Sequence, residues 1–331
     1  VETFTLQNRG GKGLKGVSTK EEDSPQSIVT CFSKDRLLIF TNMGRVYGLR
    51  AWETPIGSRH SRGTHIKNLL GSLQEGEDIV TILPLSKSLV DEVREKCIDI
   101  DVEEGKKRPP SGYFLLFATK LGLIKKTDLS QYVKINRNGK YALRFKLPDD
   151  ELVNVRLSTD DDSVVMISST GYASRFSCSD IRASGRVSGG IYGIKVGARK
   201  GSGGGKVVGM ISIANADTQI LTISKYGMAK RSRIGTGGRT PDIDSEGNPK
   251  YDEEGNVKQI TDGYRSTRPG AKGVRTMKLD ETHDDEIISV RMIPDMNDNL
   301  FLLTKKGMMI RLMVSQTKET SGKSTRGTRV M

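Results

Sequence analysis

The sequence predicts an all-β, propeller-like fold of repeated four-stranded blades, and three recurrences carry that expectation. An apolar run, a turn with Gly and a basic run recur five times along the 331 residues. A short phrase of Gly with Arg or Lys recurs six times. An acidic residue entering an apolar strand follows several of those phrases. Self-similarity at intervals of tens of residues marks a ring or stack of supersecondary units rather than a set of unrelated domains.

The run–turn–run segments are Leu37–Tyr47, Phe114–Lys125, Val164–Arg175, Ile220–Lys230 and Leu300–Arg311, with Gly44, Gly122, Gly171, Gly227 and Gly307 at the turns. Two strand-like runs around a Gly turn read as a β-hairpin. Gly-to-Gly intervals are 78, 49, 56 and 80 residues. The Gly/basic phrases are Arg9–Gly13, Arg59–Gly63, Arg137–Lys140, Gly185–Gly190, Arg268–Gly273 and Gly322–Gly327. The acid-led strands are Glu77–Ile82, Asp150–Val153 and Asp285–Val290. One hairpin, the phrase after it and an acid-led strand make a unit of about 50 residues and four strands, the size of a propeller blade. Six phrases stand against five hairpins. A sixth hairpin is therefore expected before Val1, which leaves the first blade incomplete at its N-terminal side and the chain a piece of something longer.

One domain over 1–331 is expected, with two insertions that account for the two long intervals. The first is 84–112, where the spacing of Leu89–Lys96 allows a short helix. The second is 236–263, with seven acids against three bases, a net of −4. Turn-rich polar segments run outward over the surface, so this acidic insertion is expected to project. The rest of the chain is then +17 around a total of +13.

That charge, with a pI near 9.5 and a mean hydropathy of −0.44, points to a polyanionic partner. No apolar run reaches the ~18–20 residues that span a bilayer, so no membrane partner is expected. Cys31, Cys97 and Cys178 are odd in number and scattered, which suits reduced thiols in a cytoplasmic protein.

Glycine lets backbone amides approach an anion closely, and Arg or Lys adds the charge. The Gly/basic loops therefore read as contacts for the phosphates of double-stranded DNA. The candidate residues begin with Gln7, Arg9, Gly10, Gly11, Lys12, Gly13 and Lys15. The hairpins add Arg45, Lys125, Lys126, Arg175, Lys230, Arg231 and Arg311. The later phrases add Arg59, Arg62, Arg137, Lys140, Arg182, Arg186, Arg268, Lys272, Lys323 and Arg326. No recognition helix for reading base edges is evident, so weak sequence preference is expected.

The box Gln7-Asn8-Arg9-Gly10-Gly11-Lys12-Gly13 closely resembles the heptapeptide signature of the C-terminal domain of DNA gyrase A, and the repeats resemble that domain's blades. Asn8 stands where the family usually has a basic residue. The resemblance implies a six-bladed β-pinwheel with DNA bent around its basic rim. It implies work within a heterotetramer with gyrase B and the rest of gyrase A, where the type II topoisomerase reaction, ATP-dependent strand passage, yields negative supercoils. It implies no catalytic residue, metal or cofactor in this stretch. The related C-terminal domain of topoisomerase IV, with its degenerate box, is the alternative within the family. Outside it stands a propeller used as a protein-interaction module, but the Gly-His and Trp-Asp pairs of WD-type blades are missing.

Other readings are weaker. Gly201–Val207 lacks the first Gly and the final Ser or Thr of a P-loop. Asp242, Asp244, Glu246, Gly247 and Glu253 fall at EF-hand spacings, but Lys250 and Pro249 interrupt them, and the carboxylates alone leave calcium open. His60, His65 and His283 are too sparse for a triad or metal site. Tyr47, Tyr113, Tyr172, Tyr226 and Trp52 are expected to pack.

Overall fold

The computed structural model describes residues 14–15, 29–57, 63–99, 108–199, 202–244, 246–280, 282–293, 295–303, 308–320 and 325–330. A two-residue strand, β1 (Leu14–Lys15), comes first. The hairpins fall on the apolar–Gly–basic runs: β2 (Arg36–Thr41) with β3 (Arg45–Arg50), β5 (Phe114–Thr119) with β6 (Leu123–Asp128), and β9 (Ser163–Ser168) with β10 (Tyr172–Ser177). They continue with β15 (Gln219–Ser224) and β16 (Met228–Arg233), then β21 (Asn299–Leu303) and β22 (Met308–Met313). In the first four, the turn Gly amide donates to the carbonyl three residues back at 3.0–3.1 Å.

Each of those four hairpins carries a strand on both sides. A seven-residue strand pairs with the first hairpin strand: β4 (Ile79–Leu85), β8 (Leu152–Ser158), β14 (Val207–Ile213) and β20 (Ile287–Ile293). A two-residue strand pairs with the second: β7 (Lys140–Tyr141), β11 (Ile191–Tyr192), β19 (Val274–Arg275) and β23 (Thr328–Arg329). The fifth sheet has three strands, β21, β22 and β1. These five sheets are blades 1 to 5, in the chain order of their hairpins. β4 packs on β8, β8 on β14 and β14 on β20. The seven-residue strands therefore line the inside of the array, and the two-residue strands form its outer edge. The sixth expected blade has no sheet among the described residues, and the phrase Arg59–Gly63 lies almost wholly outside them.

One expectation changes here. The sequence reading joins each phrase to the hairpin before it. The structure gives its strand to the blade before that one: β7 follows β6 in the chain but pairs with β3, and β11, β19 and β23 repeat the exchange. β1 pairs with β22, so the first strand completes the last blade. A repeat's period is visible in sequence, whereas its pairing partners are not, because the period can be cut at any point.

The hairpin strands read as nearly unbroken apolar runs because blades stack face to face and bury both faces. Side chains alternate across each strand. Leu115 and Phe117 pack with Leu38 and Phe40 of blade 1, while Leu116 and Ala118 pack with Val164 and Met166 of blade 3. Val165 and Ile167 turn to Ile220 and Ile287 of blade 4, and Leu221 and Ala229 to Leu302 and Ile310 of blade 5. Phe40 and Phe117 meet edge to face at 5.6 Å. The other face of blade 1 is covered by Leu70.

Three of the four inner strands are led by an acid that caps a hairpin; β14 follows Lys206 instead. The Glu77 side chain is fully buried and accepts from the hydroxyls of Thr41 at 2.7 Å and Tyr47 at 2.9 Å. Burial first, then Glu77, pushes the Tyr47 phenol up to about 12. Asp150 accepts from the Leu121 amide at 2.9 Å. In the first insertion, α1 (Lys87–Cys97) starts at Ser86, whose hydroxyl accepts from the Leu89 amide at 3.2 Å. Its Val90 and Val93 pack into the core between blades 1 and 2. The second insertion forms an arm with β17 (Arg239–Pro241) and β18 (Gln259–Thr261), and β12 (Ala198–Arg199) with β13 (Ser202–Gly204) forms a side ribbon.

The exchanged strand passes close to its host, and glycine makes the crossing possible. A Cβ on Gly190 would lie 2.4 Å from the Ile124 carbonyl oxygen, and one on Gly273 2.1 Å from that of Ala173, and both have positive φ. Gly273→Ala is expected to lower stability by about 1–3 kcal/mol from backbone strain alone, seen as a lower urea midpoint. Gly185→Ala, where a Cβ meets nothing within 4 Å, should stay within about 0.5 kcal/mol of the parent. Equal midpoints for the two variants would contradict this account of the crossing.

Candidate nucleic-acid interface

The outer edge is built from the segments that deliver the exchanged strands, and these are the Gly/basic phrases. Arg137 and Lys140 lie on blade 1, Arg182 and Arg186 on blade 2, Arg268 and Lys272 on blade 3, and Arg326 on blade 4. All are exposed except Arg186, which is half-buried. Their partners leave charge facing solvent. Arg137 pairs with Glu53 at 2.6 Å and Arg326 with Asp280 at 3.3 Å, and each guanidinium side chain stays over half exposed. Lys272 sits 4.7 Å above the Tyr172 ring. Exposed pairs of this kind are weak, so these cations remain available to an anion.

The hairpin cations are different: five of them are buried, and Arg45 and Arg311 are half-buried. Lys125 is buried, and its ammonium donates to the carbonyls of Ala142 at 2.5 Å and Arg186. Lys126 is buried, with bonds to Asp160 and, at 3.1 Å, the Cys178 carbonyl. Arg175 is buried and donates to the carbonyls of Gly235 at 2.7 Å and Tyr264 at 3.1 Å. Lys230 is buried and donates to the Thr276 carbonyl at 2.7 Å. Arg231 is buried with its guanidinium against the Met296 sulfur. Arg45 turns inward to Glu77 at 3.2 Å, and half-buried Arg311 donates to Asn299 at 2.9 Å. Ala142, Arg186 and Thr276 lie on or next to the exchanged segments. Lys125 and Lys230 thus satisfy backbone carbonyls where a foreign strand arrives, and a phosphate cannot reach cations buried in this way. In sequence they match the edge cations, because both kinds follow a Gly.

Gln7, Arg9, Gly10, Gly11, Lys12, Gly13, Arg59, Arg62 and Lys323 lie outside the described residues, and Lys15 is placed only as a strand position. Sequence reasoning missed Arg275 and Arg329, which are exposed on β19 and β23. The signal was available: each stands two residues after the last Gly of its phrase, as does Lys15 after Gly13. Trp52 and Tyr226, expected to pack, are 66% and 50% exposed.

The arm stands on the segment between blades 3 and 4. Asp262 accepts from the Thr236 amide at 2.8 Å and fixes its base. Asp244 accepts from the amides of Glu246 and Asn248, both at 2.9 Å, and Asp252 repeats the pattern with Glu254 and Asn256. Hydrogen bonds from those amides hold Asp244 below the usual carboxylate range. These carboxylates serve two successive turns. Among the described residues no group of three or more His, Cys, Asp or Glu could hold a metal, and no helix is long and apolar enough to cross a membrane.

The family described as DNA gyrase C-terminal domain, beta-propeller, matches residues 1–30, 35–86, 113–159, 162–214, 261–294 and 298–331, which leaves out most of both insertions. The DNA gyrase A protein of Staphylococcus epidermidis (strain ATCC 12228 / FDA PCI 1200) is 32% identical over 332 residues, covering all of this chain and 31% of that protein. The Staphylococcus aureus (strain MRSA252) protein is 30% identical over the same span. The chain thus spans about a third of the length of the curated relatives it matches. A solved DNA gyrase A C-terminal domain superposes with a TM-score of 0.69 at 20% identity, covering 100% of this chain and 89% of that one. A C-terminal domain of DNA topoisomerase IV gives 0.64 at 21% identity, covering 90% and 75%.

Burial lowers the Lys125 ammonium to about 7 and that of Lys230 to about 8, below the ~10.4 of an unfolded lysine. Between those values the unfolded chain binds more protons, so these two groups make stability rise as pH rises through about 7 to 10. Lys125→Met should therefore show a smaller gain in urea midpoint from pH 6.5 to 9.5 than the parent. An equal or larger gain would mean that Lys125 keeps its charge throughout.

Proposed function

We propose, on the premise that this chain belongs to the DNA gyrase C-terminal β-propeller family, that it is a non-catalytic domain that binds double-stranded DNA along its outer edge and bends it. One observation carries the reading: the exchanged segments collect exposed cations on the outer edges of successive blades. Bending 20–30 base pairs by 40–90° costs about 1–6 kcal/mol, more than one contact offsets. Counterion release at contacts spread over several blades supplies the balance.

In the whole protein this wrap would present one DNA segment to another, and gyrase B would drive ATP-dependent strand passage to negative supercoils. Assembly with gyrase B and a cytoplasmic, nucleoid-associated location belong to the same proposal. The intact Gly10-Gly11-Lys12-Gly13 favours this role over that of a topoisomerase IV domain.

Affinity for a duplex should fall steeply with salt, by about −0.9 in the log–log slope per neutralised phosphate. Arg268→Ala and Lys272→Ala should each flatten the slope by about one, while Lys125→Met leaves it unchanged. A parent slope near zero would end the proposal. Replacing Gln7–Gly13 by Ala should reduce wrapping more than binding, and in reconstituted holoenzyme should abolish supercoiling while relaxation survives. Unimpaired supercoiling would remove the box from the wrap.

A further inference from the structure

We propose that blade 2 inserts an apolar wedge into the DNA minor groove and so sets a kink in the wrap, an inference that rests on the DNA-binding reading above. The five closing strands occupy equivalent places, so each is a control for the others. Four carry a cation, Leu14-Lys15, Lys140-Tyr141, Val274-Arg275 and Thr328-Arg329, although in blade 1 the cation holds the first place and Tyr141, 59% exposed, holds the place of Tyr192. Blade 2 carries Ile191-Tyr192. Ile191 is 46% exposed, Tyr192 51%, and nearby Val187 50%. Scattered exposed apolar residues need no account. Three within six residues, on the edge strand that breaks the cationic pattern, do need one.

Cations flank this patch on both sides. The Lys146 ammonium donates to the Gly190 carbonyl at 2.5 Å, directly before Ile191. On the other side the Gly270 amide donates to the Gly193 carbonyl at 2.9 Å, which sets the blade 3 segment with Arg268 beside Tyr192. Both cations are exposed. A duplex following the edge thus meets charge, an apolar projection, and charge again. Minor-groove proteins that bend DNA are built this way: cations hold the backbone while an apolar side chain partly unstacks one base step. A smooth wrap needs no such projection, and a protein partner would not require flanking phosphate contacts. The occupant that fits the charge and the continuity with the edge is duplex DNA. The step it would choose is pyrimidine–purine, which unstacks most easily.

The test compares two duplexes of equal length, one with a central TA step and one with a central A-tract. Affinity and end-to-end FRET are measured for each over a salt series. The parent should bind the TA duplex several-fold more tightly and bend it further. Ile191→Ser with Tyr192→Ser should lose both differences, while salt slope and thermal unfolding stay at parent values. Ile191→Leu with Tyr192→Phe should keep them. A serine variant that still prefers and bends the TA duplex like the parent overturns the wedge and leaves DNA binding by the edge standing, as does a parent with no step preference. A parent without salt-dependent binding to either duplex overturns the DNA-binding reading, and the wedge with it.

Discussion

Everything in this architecture depends on the close crossing of one unit's backbone over its neighbour's hairpin. A two-residue strand contributes few hydrogen bonds by itself. It holds because glycine lets it come within contact of a carbonyl, as at Gly273 and Ala173, and because buried cations draw the arriving carbonyls inward. Blades that merely stacked would be joined by apolar contact alone, which has no direction. Blades that exchange a strand are fixed in register by backbone pairing. The outer edge inherits that register, which is why Lys15, Tyr141, Tyr192, Arg275 and Arg329 occupy equivalent places.

Two populations of cation follow from the same crossing. Lys125, Lys126, Arg175, Lys230 and Arg231 are buried on the second hairpin strands and bind the protein to itself. Arg137, Lys140, Arg268, Lys272, Arg275, Arg326 and Arg329 are exposed on the segments that cross. A buried ammonium is costly unless its donors are used, and carbonyls left over from an interrupted sheet are suitable acceptors. The high positive charge of the chain is therefore part scaffold and part surface. Net charge alone overstates the part that a polyanion can meet.

Much of the fold was legible. The hairpins fell on their turn glycines because Gly at positive φ after a strand-like run has few other uses. Three of the four inner strands fell where acids led them, β14 being preceded by Lys206 instead, and α1 fell where apolar spacing allowed a helix. Pairing was not legible, since a repeat shows its period and hides its partners. The site was half legible for a related reason. Lys125 and Lys140 both look like basic residues near a glycine, yet only burial separates a strut from a contact. Counting from the last glycine of each phrase would have found Arg275 and Arg329. Nothing in the sequence marks Gly273 as a residue of close packing rather than of phosphate approach, because the carbonyl it must clear is a hundred residues earlier, at Ala173.

The exchange also orders events during synthesis. No blade is complete when its hairpin emerges: blade 1 waits for β7, and blade 3 for β19. Each new unit finishes the one before it, so the array is sealed one step behind the ribosome. The last blade has no successor among the described strands and takes β1, which pairs Leu14 with Met309 across almost the whole chain. Of the described strands, that one is translated first and can be seated only once β22 appears. Until β21 and β22 appear, it must remain unpaired without finding another edge. Joining segments so far apart in sequence is slow because the intervening loop must first be closed. The early segment is short, rich in glycine and strongly basic, which is the kind of edge least inclined to pair with the wrong sheet.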